Sequence, residues 1–390
     1  MDPNRFSDST LGTVAREPGS KYPFWYFIPA SLPREIELNY QTVVLLSEAD
    51  AALGVLNGLG RLIREPELLV GPYLTREAVS SSRIEGTQAS LSDVLKSEAS
   101  EAPTRSEDIA EVERYIQAAR HGYQSLQDLP ITLRLIKEVH AILLAGVRGQ
   151  EKLPGEVRRT PVWIGSTNDS PETATFVPPV PADLPDALAD WEDFVNTPST
   201  MPVLVRCAIM HYQFETIHPF LDGNGRIGRL LINLLLLEEK RLTRPLLYLS
   251  GYLESHRSEY YDRLQAVRER GELEQWIQFF LAAVKSQADD AVARATALVD
   301  LREKYLDEAS KTRSSLPGLA RMLFGNPYVT VTRVQKALRL TNAGARNLVR
   351  DAERRGWLQE IGTSGRGGKT FWIASEVFQI IEAPMERGER

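Results

Sequence analysis

The chain has 390 residues, 43% of them apolar and 25% charged, with a formal net charge of −6 at pH 7. That length allows two or three domains with cores of their own. The charge excludes a molecule that binds polyanions with its whole surface, though a local patch remains open. One cysteine, Cys207 in the apolar stretch VLVRCAIM, excludes a disulfide framework and reads as a buried, inert thiol.

In chain order, residues 1 to about 40 are rich in proline and aromatics (KYPFWYFIPASLP) and are expected to form an extended surface arm. They contain no apolar core of signal-peptide type, which with the reduced cysteine fits a cytoplasmic protein. Helical spacing follows over 36–70, then over TREAVSSSRIEG, which stops at Gly86. Ser90 with Asp93 predicts a capped start for SLSDVLKSE. Further helices are expected at 106–126, 131–146, 183–196, 201–216, 226–240, 255–270 and 272–305. The longest apolar run, LLINLLLL, is about half a membrane span, so no membrane contact is expected. Between the helices, 153–179 carries two β-prone pieces, PVWIG and ATFVPP, around a polar turn and predicts a projecting hairpin.

A boundary falls near 305–318. Beyond it come three short helices and a glycine-rich turn between two strands, the layout of a winged helix. Residues 331–370 hold nine Lys or Arg against three acids, so this segment is +6 and the remaining chain −12. Duplex DNA is therefore a candidate partner, through Arg346 and Arg350 on the expected recognition helix and Arg366 and Lys369 in the wing. A protein-docking role fits the same basic face. The expected division is 1–100, an arm and helical region; 101–305, a helical core; and 306–390, the winged helix. The fold class is all-α with a small β-hairpin.

The chemistry concentrates in HPFLDGNGRIGR, residues 218–229. Gly223, Asn224 and Gly225 precede a helix, where small residues and the positive helix end make a nest for an anion such as phosphate. Arg226 and Arg229, three apart, project from one side of the first turn, and two guanidinium forks suit a polyphosphate. Asp222 beside such a nest calls for a divalent cation, Mg²⁺ being the usual one. His218 is the side chain in the segment that takes a proton near neutral pH. The set points to transfer of a phosphorus group from a metal-bound nucleotide to a hydroxyl.

These residues resemble the Fic family signature H-P-F-x-[DE]-G-N-G-R-x-x-R at all nine specified positions. The resemblance extends over about 1–300, with VWIG…ATFVPP similar to the family's flap; the terminal module resembles an accessory domain of some members. It implies protein adenylylation: transfer of AMP from ATP to a Ser, Thr or Tyr hydroxyl of a target protein, and to the enzyme itself, with release of pyrophosphate. His218 then deprotonates the target hydroxyl and Asp222 holds Mg²⁺. Gly223, Asn224 and Gly225 cradle the phosphates, Arg226 grips the β-phosphate and Arg229 the γ-phosphate. Val162, Trp163 and Ile164 of the flap hold the target segment by main-chain pairing. Tyr252 and Tyr261 are candidates for the adenine pocket.

Read on its own, Glu85 in SSRIEG is an acid at a helix end. By resemblance, Ser81, Glu85 and Gly86 match the family's inhibitory pattern [ST]-x-x-x-E-[GN], whose glutamate pairs with the second motif arginine, here Arg229, and displaces the γ-phosphate. Two alternatives stand beside autoinhibited adenylylation. One is another reaction on this scaffold: phosphocholine transfer, phosphate transfer or removal of AMP. The other is a DNA-binding regulator with a nucleotide-sensing core. The target protein is not legible, and a homo-oligomer remains open.

Overall fold

The structure is a computed structural model that describes the whole chain except residues 18–22, 63–66, 101–105, 167, 313, 365–367 and 383–390. The helices are α1 Tyr40–Leu62, α2 Glu67–Ile84, α3 Leu91–Ser100, α4 Glu107–Ser125, α5 Leu133–Leu143, α6 Leu184–Asn196, α7 Val203–Ile217 and α8 Asn224–Glu238. They continue with α9 Ser250–Ser255, α10 Arg257–Arg270, α11 Leu273–Ser310, α12 Leu316–Gly325, α13 Val331–Leu338, α14 Asn342–Arg354 and α15 Ser375–Glu382. Strands β1 Gly12–Arg16 and β2 Trp25–Pro29 form one antiparallel pair; β3 Tyr328–Val329, β4 Gln359–Ser364 and β5 Lys369–Ile373 form a second sheet in the order β3-β5-β4.

Local chemistry accounts for many of the ends. Ser90 and Asp93 form the reciprocal cap expected ahead of α3, each bonding the other's backbone N–H at 3.1 Å. Hydroxyls of Ser106, Thr132, Thr330 and Thr341 cap α4, α5, α13 and α14. Gly271 ends α10 with φ +68°. The helix expected over 255–270 is α10, and His256, with φ −116°, separates it from the short α9 that precedes it.

The centre is the packed helix pair α7–α8. Every residue of α7 from Leu204 to Ile217 is buried, so the helix has no solvent-facing side and is enclosed all round. α8 packs against it, and α4, α5, α6 and α11 close around the pair. Cys207 is fully buried and burial pushes its thiol up, as an inert thiol requires. By length and composition α1 alone among the described helices could span a membrane; here it lies along α11.

Two expectations need correction. The N-terminal arm is not merely extended: β1 and β2 pair from Gly12↔Pro29 to Arg16↔Trp25. Phe24, Tyr26 and Phe27 are buried in a small separate core with Met1, Phe176 and Val177. The segment 153–179 is not a regular hairpin, because its strand pairing is reduced to one antiparallel bridge, Ile164↔Phe176.

The C-terminal elements do not stand apart. α12 packs on α11 and α2, Tyr305 of α11 stacks on Trp357 at 4.4 Å, and Asn326 Nδ2 donates to Leu95 O at 3.0 Å. One buried apolar cluster runs from α1 to α15. α2 is pinned in turn by Arg76 on Asp290 of α11 at 2.9 Å, and by Glu77, whose buried carboxylate accepts from Ser250 N at 3.0 Å.

Candidate active site

The site is the connection between α7 and α8. His218 ends α7 in the left-handed region, φ 50° and ψ 61°, a conformation a non-glycine residue keeps only when its surroundings enforce it. The enforcing group is Arg158, which is 2% exposed and has carbonyls as partners. Its Nε donates to His218 O at 2.8 Å, and its Nη2 to Ile217 O at 3.2 Å and to Pro179 O at 2.6 Å. Its Nη1 donates to Thr160 O at 3.3 Å. One guanidinium thus ties the turn holding the histidine to both ends of the flap.

The Asn224 side chain has a part of its own, beside the backbone N–H that the anion nest uses. Its Oδ1 accepts from Phe220 N and its Nδ2 donates to Phe220 O, both at 2.9 Å, so the side chain laces the loop and is not turned toward a ligand. Phe220 stacks on His140 of α5 at 3.8 Å. His140 Nδ1 accepts from Gly155 N at 2.8 Å, so Nε2 carries the proton and donates to Asp222 O at 2.9 Å. Burial lowers its pKa to about 4 and keeps the ring neutral.

Burial, with Arg158 and Arg268 nearby, likewise lowers the His218 pKa to about 4. The imidazole is therefore unprotonated at neutral pH and able to accept a proton. Arg268 is buried, donates to Thr216 Oγ1 at 3.1 Å, and lies 4.0 Å over the Phe176 ring of the flap. One turn before His218, Glu215 is 7% exposed, and its Oε1 is without a hydrogen-bond partner among the described residues. Burial raises its pKa to about 7, against the opposing pull of Arg229.

Gly223, φ +80°, caps α8 and turns the chain so that the first-turn N–H groups of Asn224, Gly225 and Arg226, which have no intrahelical acceptor, face one side. Arg226 is buried beside them, with Nη2 3.3 Å from Asp222 Oδ1 and its Nε without a partner among the described residues. This is a cradle for an anion. Asp222 is the acid on its rim, and no cluster of three metal-ligating side chains occurs among the described residues. One carboxylate beside an anion cradle fits Mg²⁺ that arrives on phosphates, since that ion needs few protein ligands.

Arg229, one turn further, is 2% exposed and already engaged. Its Nε donates to Ser81 Oγ at 2.9 Å, and its Nη2 to Ser81 O and to Glu85 Oε1, each at 2.8 Å. Burial alone would raise the Glu85 carboxyl, but Arg229 holds it below the usual carboxylate value. The structure therefore brings the last turn of α2 to the mouth of α8. Gly86 follows with φ +101°, which permits the turn out of α2.

Of the flap residues, Ile164 exchanges both main-chain hydrogen bonds with Phe176, at 2.8 and 3.1 Å. Val162 is half-buried, and Trp163 is exposed with its Nε1 donating to Asp169 O at 2.8 Å. The two tyrosines part company. Tyr261 is 40% exposed and close enough to Glu85 and Arg229 to feel both charges. Tyr252 instead stacks on His256 at 4.1 Å and tilts against Phe279. His140, Arg158, Arg268 and Glu215 were not singled out from sequence; a lone histidine in the apolar EVHAILL was the one available signal.

Residues 43–124 match the family model described as Fic/DOC family N-terminal, and residues 130–236 match the model described as Fic/DOC family. The protein adenylyltransferase Fic of Aedes aegypti is 30% identical over 223 residues, 56% of this chain and 38% of that protein. The protein of the same description from Culex quinquefasciatus is 34% identical over 161 residues, 41% of this chain and 29% of its own length. The chain thus spans about a third of the length of these curated relatives. Among solved structures, a Fic family protein from Desulfovibrio desulfuricans G20 aligns with a TM-score of 0.57 at 21% identity, over 87% of this chain and 98% of that one. That likeness shows a common fold.

Proposed function

The chain belongs to the Fic/DOC family, and from that premise we propose that it transfers AMP from ATP to a Ser, Thr or Tyr hydroxyl of a target protein and of itself. The observation that carries this reading is the juxtaposition of a neutral, half-buried histidine with an arginine-lined helix N-terminus. The hydroxyl oxygen attacks the α-phosphorus of ATP and gives its proton to His218, while the bond to the bridging oxygen breaks and pyrophosphate leaves. The open N–H groups of α8 and Arg226 hold the phosphates, and Tyr261 borders the nucleotide. Mg²⁺ held at Asp222 would offset the negative charge of those phosphates.

Glu85 restrains the reaction. A γ-phosphate needs the guanidinium of Arg229, and a carboxylate 2.8 Å away already holds it. The triphosphate is then denied one of its two arginines and settles where the α-phosphorus is poorly aligned for attack. Labelling with ATP carrying the isotope on its α-phosphate tests both parts. Glu85→Gly should label itself and a lysate strongly, and Glu85→Gly with His218→Ala should not label at all. Equal labelling by wild type and Glu85→Gly would dismiss the restraint, and incorporation only from γ-labelled ATP would replace AMP transfer by phosphate transfer.

A further inference from the structure

We infer that the exposed face of α14 binds duplex DNA in the major groove, an activity separate from the transfer reaction. α13 and α14 are joined by three residues, 339–341, with Arg339 at φ +52° making the turn. This is the spacing of a helix-turn-helix, whose second helix enters the groove. α14 buries Ala345, Leu348, Val349 and Ala352, and its described packing is on α13 and α12.

The opposite face presents Asn342, Arg346 and Arg350 at successive intervals of four, with Ala343 and Asn347 beside them, all exposed. Among the described residues no carboxylate pairs with Arg346 or Arg350. Two of the acids in this region are taken by other cations: Asp351 holds Arg354 and Arg355, each at 3.3 Å, and Glu98 holds Arg333 at 3.2 Å. Two arginines therefore face solvent without a partner, in a segment of net +6 within a chain of net −6. Guanidinium and carboxamide groups are the side chains that read base edges: arginine pairs with guanine O6 and N7, asparagine with adenine N6 and N7. The face carries no large apolar residue, so it lacks the anchors on which a protein partner would dock. Lys369, expected in the same surface, donates to Ser100 O at 3.0 Å, and Arg366 lies outside the described residues; the inference rests on α14 alone.

The test is a fluorescence anisotropy titration of the full chain against a labelled random-sequence duplex of about two helical turns, over a range of KCl and without ATP. Expected is binding whose log affinity falls linearly with log salt. Arg346→Ala with Arg350→Ala should weaken it at least tenfold and flatten the slope by about 2, one counterion per arginine lost. Arg134→Ala, on α5 and paired with Glu138, should change nothing. Equal melting curves for the variants exclude loss of fold. Absent or salt-insensitive binding would overturn the inference, as would indifference to the double substitution. Equally tight, arginine-dependent binding of polyglutamate or single-stranded RNA would do the same. His218→Ala should bind DNA as wild type does, so the outcome stands apart from the transferase proposal.

Discussion

The carboxylate of Glu85 fills the space in which a β-carbon on Gly225 would stand. The same β-carbon would lie 2.9 Å from Nη1 of Arg229, so the glycine leaves room for the ion pair as well as for an anion. Gly225→Ala should therefore expel Glu85. In a double-mutant cycle, Gly225→Ala should destabilise the wild-type chain more than the Glu85→Gly chain, with a coupling of about 1 kcal/mol by thermal denaturation. Additive effects would mean that Glu85 does not occupy this place.

Arg158 should be the most sensitive residue outside the motif. Lysine cannot reproduce a fork whose nitrogens reach four carbonyls. In the Glu85→Gly background, Arg158→Lys should lower the maximal labelling rate at least tenfold while leaving the KM for ATP within about twofold, because the Arg158 guanidinium bonds carbonyls of the turn and the flap and none of the groups of the anion cradle. A rise in KM with an unchanged rate would place Arg158 in nucleotide binding. Arg158→Ala should cost on the order of 2–4 kcal/mol of stability through the carbonyls left unpaired.

The acid side of the pH–rate profile reports His218. Its pKa of about 4 means that the base stays unprotonated down to the acid edge of the neutral range. Removing Glu85, whose charge raises that value, moves it lower still. The kcat/KM of Glu85→Gly should be flat from pH 8 to about pH 5. A limb near pH 6.5, the ordinary histidine value, would mean that His218 is solvated during catalysis.

Glu215 should give an alkaline signature in stability. Its folded pKa of about 7 lies above the unfolded carboxylate value, so the folded state retains a proton that the unfolded state has lost. Its unfavourable ionisation is absent below the unfolded pKa, grows between the two values and is complete above pH 7. Glu215→Gln should stabilise the chain by on the order of 1–3 kcal/mol at pH 8, and the difference should vanish toward pH 4.5. Chemical denaturation at the two pH values decides it, and a gain independent of pH would point to packing instead.

The parts legible in the sequence were those fixed over short spans. Helix capping at Ser90, ahead of α3, and the glycine turn at 223 with the three-residue offset of Arg226 and Arg229, at the start of α8, are each local to one helix start. The parts that escaped act across the fold. Arg158 reaches a carbonyl 60 positions away, and His140 one 82 positions away. Nothing in their neighbouring residues marks them out from an ordinary surface arginine or a core histidine. The N-terminal arm escaped for another reason: its aromatic run has no alternation to reveal which face of β2 is covered. Only the second core, built with Phe176 and Val177, decides that.

Glu85 and Arg229 belong to one chain, 144 positions apart. Their encounter is unimolecular, and dilution cannot weaken it. The local concentration of the carboxylate is set by the packing of α2 and not by how much protein is present. ATP, in contrast, competes according to its own concentration. The contact therefore sets a threshold in nucleotide, the same in a dilute sample as in a crowded one, and raising the amount of protein would multiply the output without moving that threshold.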